Sequence, residues 1–218
     1  MKLPHWLLAG FIATASVYAQ GVVAQEIQMR YSSLYGKLKQ NVKEGHNDVR
    51  IAFYLLDQKN GDVCTVHKGW MQKEEHYEEL EIPVDYELVV PVDTNLRQAN
   101  PDVTFVIDDG ITCDVSMQVI ANKHYVQSIS QSEIAEIVPQ MDSLLADLGG
   151  MFSSWFMPEV SGVVIHFSEN VTKPLQVSDA KTIAIEGNKA VIKLADLGKG
   201  DEILFPDEAV KVTPWIPR

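Results

Sequence analysis

The sequence predicts an α+β protein: an N-terminal helix with a disulfide-stapled antiparallel β domain, a helical bridge, and a small β-sandwich-like domain at the C-terminal end. Three observations carry this expectation. Apolar residues recur at helical spacing from Tyr31 to Val42 and again from Ile134 to Leu148. Between and after those runs the chain alternates with period two. The two cysteines that follow the leader, Cys64 and Cys113, each sit in such an alternating stretch. The expected divisions are a signal peptide over 1–25, an N-terminal α+β domain over 26–127, the helical bridge over 128–158 and the β domain over 159–218.

The chain opens with MKLPHWLLAGFIATASVYAQGVVAQ. Lys2 makes a positive start, and the apolar run Trp6 to Val17 is shorter than the roughly 20 residues of a membrane span. Small residues then end at Ala19 and at Ala24, so the segment reads as a cleavable export signal cut between those two positions. No later stretch is long and apolar enough to span a bilayer, and no cysteine near the cut suggests a lipid anchor. The first helix follows, with Tyr31, Leu34, Tyr35, Leu38 and Val42 on one face, Ser32 or Ser33 as its cap and Gly45 as its end.

Val49, Ile51, Phe53 and Leu55 predict a strand, and Asn60-Gly61 a hairpin turn after it. A calcium loop there would need an oxygen ligand where Lys59 stands. The next strand runs from Cys64 to about Met71, with Cys64, Val66 and Trp70 on one face and His67 on the other. QKEEH reads as a turn, Leu80 to Val84 and Glu87 to Val92 as short strands, and DTNLRQANPD as a loop. Val103, Phe105 and Ile107 predict a strand that reverses at Asp108-Asp109-Gly110 into ITCDVSMQV. There Ile111, Cys113, Val115, Met117 and Val119 share the inward face. Paired cysteines on inward faces of an exported chain predict a Cys64–Cys113 disulfide. A metal site or a thiol–imidazole pair is disfavoured, because Cys64 and His67 point to opposite sides of a strand.

Ser130 and Glu133 form a capping box for the bridging helix, which Pro139 should kink or divide and Gly149-Gly150 should end. MFSSWFM follows, and Met151, Phe152, Trp155, Phe156 and Met157 form a dense apolar cluster. The bland reading packs it between the two β regions; the functional reading makes it a partner patch. The remaining strands are expected at Val163–Phe167, Thr182–Ile185, Ala190–Leu194, Glu202–Phe205 and Val210–Ile216, with a turn at Gly187-Asn188.

The formal charge is -12, and removing Lys2 with the leader takes away one more positive charge, giving -13. Such a surface opposes nucleic-acid backbones and anionic headgroups, and no Lys/Arg-rich run offsets it. No phosphate loop, nucleophile elbow or zinc-protease helix is present, so no catalytic residue, metal ligand or cofactor is assigned. His46, His67, His76, His124 and His166 are scattered. His67 and His76 could approach across a hairpin and join Glu78 or Glu79 around a metal, but separated surface histidines are commoner. Glu78 and Glu79, adjacent on a strand, face opposite ways and make a poor acid–base pair. Asn170-Val171-Thr172 fits a glycosylation sequon.

Taken together, YSSLYGKLKQN, DVRIAFYLLD, the cysteine of DVCTV and CDVSMQV resemble a family of exported proteins of Gram-negative bacteria, known as a domain of unknown function. The resemblance spans roughly Tyr31 to Ala121, with an extension reaching the KVTPWIPR end in longer members. It implies an envelope location and paired cysteines, and it brings no catalytic residues. The expected role is a non-enzymatic periplasmic binding, adaptor or assembly module with an envelope protein partner. The alternative is a periplasmic hydrolase using carboxylate or histidine chemistry, which a deep cleft where two or more of His67, His76, Glu78 and Asp93 meet would favour.

Overall fold

The computed structural model describes residues 24–149, 159–168, 171–178 and 181–217. The chain is β-rich with few helices, consistent with an α+β layout. Its elements are β1 (Ala24–Arg30), α1 (Tyr31–Leu38), β2 (Val49–Asp57), β3 (Val66–Lys73), β4 (His76–Leu80), α2 (Thr94–Ala99), β5 (Asp102–Asp108), β6 (Cys113–Ala121), β7 (Ser128–Ser130), α3 (Gln131–Gly149), β8 (Gly162–Phe167), β9 (Leu175–Val177), β10 (Thr182–Ile183), β11 (Lys189–Lys193), β12 (Glu202–Leu204) and β13 (Ala209–Trp215). Met151, Phe152, Trp155, Phe156 and Met157, Asn170 and the leader before Ala24 lie outside the described residues.

All pairings are antiparallel. The strand orders are β1-β5-β3-β4, β2-β6, β10-β9-β12-β7 and β11-β8-β13. The two predicted hairpins are therefore corrected. After Asn60-Gly61 the chain does reverse, with Gly61 at φ +75° and the Cys64 amide bonded to the Leu55 carbonyl. It then leaves β2 and enters another sheet, while β2 pairs along its whole length with β6, Val49 against Ala121 through Asp57 against Cys113. The Asp109-Gly110 turn likewise carries the chain from the β5 sheet to the β2 sheet. Turn chemistry specifies a reversal and leaves the partner strand undetermined.

Inward faces shift for related reasons. A bulge between Val66 and Lys68 inverts the alternation of β3, so Gly69 and Met71 are buried while Trp70 turns out against Tyr77. A Cβ on Gly69 would come within 2.8 Å of the Phe105 ring. On β6, Val119 is buried, but Val115 and Met117 are 44% and 37% exposed rather than inward. Its one paired strand among the described residues is β2.

Helix ends also differ in one respect. No serine caps α1; Asn100 does so from across the chain, its Oδ1 accepting the Ser32 amide at 2.9 Å while the Pro101 carbonyl accepts that of Tyr31. The predicted loop at DTNLRQANPD holds α2, capped by Asp93, whose Oδ1 accepts the amides of Asn95 and Leu96. Residues 81–93 form no strand; they run as extended chain against β2, with the Leu88 amide bonded to the Phe53 carbonyl at 2.8 Å. The Ser130–Glu133 capping box forms reciprocally, at 2.8 and 3.2 Å. Pro139 does not divide the helix, because it stands on the exposed side of α3, where the carbonyl it leaves unbonded can meet water.

Cys64 and Cys113 are joined, their Cα atoms 6.6 Å apart. The bond ties the approach to β3 to the start of β6, two different sheets. Tyr31, Leu34 and Leu38 of α1, and Ile134, Ile137, Met141 and Leu144 of α3, join strands of all four sheets in one core that continues to Val212.

Candidate functional site

Arg50, Ala52 and Tyr54 share the face of β2 opposite to the main core. Burying Arg50 and Tyr54 requires partners for their polar ends, and the 81–93 segment brings them. A turn closed by the Tyr86 amide on the Pro83 carbonyl holds Tyr86 at φ +60°, a conformation uncommon for a residue with a side chain. Asp85 Oδ1 accepts the Glu87 amide, and its Oδ2 accepts the Tyr54 hydroxyl at 3.0 Å. Glu87, 8% exposed, grips Arg50 through two bonds, the Nη2–Oε2 one at 2.7 Å. Burial works against the Arg50 charge, but the Glu87 bond and field outweigh it and raise the guanidinium above its ordinary range. Burial, then the Asp85 and Glu87 carboxylates, push the Tyr54 phenol well above its usual range, so it stays a hydrogen-bond donor.

The opposite wall comes from β13. Its pairing with β8 is irregular between Ala209 and Lys211, and beyond that point Lys211 lies opposite His166. The Lys211 Nζ stands 3.6 Å from the centre of the Tyr54 ring. Burial lowers this amine to about 8, with Lys189 helping and Asp85 and Glu87 opposing. Beside it, burial and then the charges of Lys211 and Lys189 lower His166 to about 3. His166 stays neutral and bonds the Thr213 hydroxyl through Nε2 at 2.8 Å.

These two walls bound an open cleft of about 740 Å³, lined by Arg50, Asp85, Glu87 and Lys211 and closed by Ile120–Tyr125 at the end of β6. Val84, 99% exposed, and Val89 give its lip an apolar character. Two further cations beside it are paired. His124 meets Glu208 at 2.9 Å and the Ala209 carbonyl at 3.1 Å, and Lys123 bonds Glu133. Burial opposes ionisation of Glu133, but the bonds from Lys123 and Ser130 keep it below the ordinary carboxylate range.

The residues singled out from sequence lie elsewhere. His67 meets Asp108 at 2.7 Å on the surface, and His76 stands opposite Lys73 at the far end of the β3–β4 pair. Glu79 faces Lys68 at 3.6 Å, Glu78 lies opposite Met71, and Asp93 caps α2. The structure does not bring all four of His67, His76, Glu78 and Asp93 together; His76 and Glu78 both line a second, open cleft of about 470 Å³ beside Leu96 and Pro101, while among the described residues no three His, Cys, Asp or Glu side chains group to hold a metal ion. Sequence reasoning passed over Arg50, Tyr54, Asp85, Glu87 and Lys211. One available signal was Arg50, a cation inside the otherwise apolar VRIAFYLL run.

A family model described as Protein of unknown function (DUF2987) matches residues 23–167. No curated protein and no solved structure matches the chain. The matched span holds both cysteines, Arg50, Tyr54, Asp85 and Glu87; Lys211 lies beyond it. Among the described residues no helix is long and apolar enough to cross a membrane.

Proposed function

The chain belongs to the family Protein of unknown function (DUF2987), and from that premise we propose that it is a non-enzymatic binding module of the cell envelope, exported by its leader to the periplasm of a Gram-negative bacterium. Its ligand site is the cleft between the 81–93 segment and β13. One observation carries this reading. The carboxylates nearest the floor of the 81–93 wall and at its mouth are tied to neighbours: Glu87 to Arg50, Asp85 to the Tyr54 hydroxyl, Glu208 to His124. A general acid or base must be free to exchange its proton with substrate, whereas a binding site benefits from side chains locked in place. The apolar lip and the mixed charge inside suit a small organic molecule.

The test pairs two measurements on the exported protein. A panel of chromogenic esters, phosphates and glycosides should give no turnover above background, and a thermal-shift screen of small metabolites should give stabilising compounds whose effect is lost in Arg50→Leu. Turnover abolished by Asp85→Asn or Glu87→Gln would overturn the reading. Fractionation of cells expressing a C-terminally tagged chain checks the location: the tag is expected in the osmotic-shock fluid.

A further inference from the structure

Among the described residues, Lys211 is the one cation lining the cleft that has no counter-ion. Lys211 reaches the cleft from β13, yet among the described residues no carboxylate lies within 4.0 Å of its Nζ, and it is not one of the buried polar atoms cut off from solvent. The Tyr54 ring holds the amine from one side, at 3.6 Å, and cannot take a proton from it.

We propose, resting on the cleft being the ligand site, that Lys211 is its attachment point: its amine condenses reversibly with the aldehyde or ketone carbonyl of a small ligand to form an imine. The nitrogen lone pair attacks the carbonyl carbon and the carbonyl π electrons move to oxygen, giving a carbinolamine. That oxygen then leaves as water with the two hydrogens the amine gives up, so no oxidant or reductant is consumed. The same water reverses the bond.

Two features select a neutral carbonyl over a charged ligand. The cleft is lined by three cations, Arg50, Lys123 and Lys211, and five carboxylates, Glu81, Asp85, Glu87, Asp207 and Glu208, an excess that repels anions. Lys211 itself opposes cations at the β13 wall. A neutral electrophile meets neither barrier. Burial then supplies the reactive form. With its amine lowered to about 8, Lys211 is roughly a hundredfold or more richer in free base at pH 7 than a lysine titrating near 10.4.

The experiment treats the intact protein with benzaldehyde and sodium cyanoborohydride at pH 7.0 and locates the reduced adducts by peptide mass mapping. The chain's α-amine, which titrates near neutrality in any protein, serves as an internal reference. The expected result is one dominant lysine adduct, on Lys211, forming at a rate comparable to the α-amine and rising with pH to a plateau above about 8. Lys211→Arg should remove that adduct with an unchanged melting temperature. Tyr54→Phe, which keeps the ring, should retain it. Adducts spread evenly over Lys68, Lys123, Lys193 and the other exposed lysines would overturn the proposal. So would compounds without a carbonyl that bind the cleft equally well in wild type and Lys211→Met; that outcome leaves the binding reading standing, whereas loss of all cleft binding in wild type removes both.

Discussion

Arg50 and Glu87 are joined by two nearly parallel bonds across the face of β2, and Glu87 is 8% exposed. Arg50 retains some solvent, its side chain 34% exposed, so the pair is half sheltered and not fully interior. Removing one member leaves the other's charge facing a low-dielectric wall. Glu87→Leu should therefore cost about 3 kcal/mol, at the low end for breaking a buried pair. The double variant Arg50→Leu/Glu87→Leu should recover part of that loss. Urea midpoints of the four proteins close the cycle; strictly additive losses would show that the pair is not coupled.

The Cys64–Cys113 bond closes a separation of 49 residues and links two sheets that share no strand. In the chain-entropy view a loop of that size stabilises by about 4 kcal/mol. Reduction should lower the denaturant midpoint by an amount comparable to that figure, and Cys64→Ala/Cys113→Ala should match the reduced wild type. Two alkylatable thiols in freshly exported, unreduced protein would remove the basis for this expectation.

Local signals were legible in the sequence wherever they are self-contained. The helical face of Tyr31, Leu34 and Leu38, the reciprocal Ser130–Glu133 cap and the Gly187-Asn188 turn, both residues at positive φ, are each written in neighbouring residues. What depends on distant chain was not. The α1 amide cap comes from Asn100, 68 positions away, and the bulge that turns Trp70 outward follows from how β3 meets β5. The cleft is the extreme case: Tyr54 of β2 and Lys211 of β13 meet across elements far apart in the chain, and no periodicity within either segment encodes that meeting. Asp85 and Glu87 carry no local sign of their role, because the two side chains that need them, Tyr54 and Arg50, stand more than 30 positions earlier.

Gly69 marks a close approach that the sequence did not announce. A Cβ there would sit 2.8 Å from two atoms of the buried Phe105 ring and 3.2 Å from Ile82. The ring belongs to the middle of β5, between β1 and β3, and has little freedom to move. Gly69→Ala should therefore destabilise by about 1–3 kcal/mol, as overpacking does. Gly69→Ala/Phe105→Leu should regain part of the loss; a melting temperature for Gly69→Ala equal to wild type would show that the ring yields.

His166 should make the folded protein sensitive to mild acid. It is held neutral on β8 between Lys189 of β11 and Lys211 of β13, with the Thr213 hydroxyl on its Nε2. Burial, then Lys211 and Lys189, lower it to about 3 in the folded state, against about 6.5 in the unfolded chain. Above that unfolded value neither state binds the proton and the histidine has no effect. As the pH falls below it, the unfolded chain takes up a proton that the folded one refuses, so stability declines by up to about 1.4 kcal/mol per unit until the folded pKa is reached. The window from pH 6.5 to 5 isolates this effect, because carboxylates such as Glu133, lowered by Lys123 and Ser130 against the opposing effect of burial, release their stabilisation only at lower pH. His166→Gln keeps a polar partner for Thr213 and cannot become charged in this range. Its urea midpoint should stay nearly flat from pH 6.5 to 5 while the wild-type midpoint falls. Parallel declines of the two proteins would assign the acid sensitivity to groups outside the lysine-flanked row on β8.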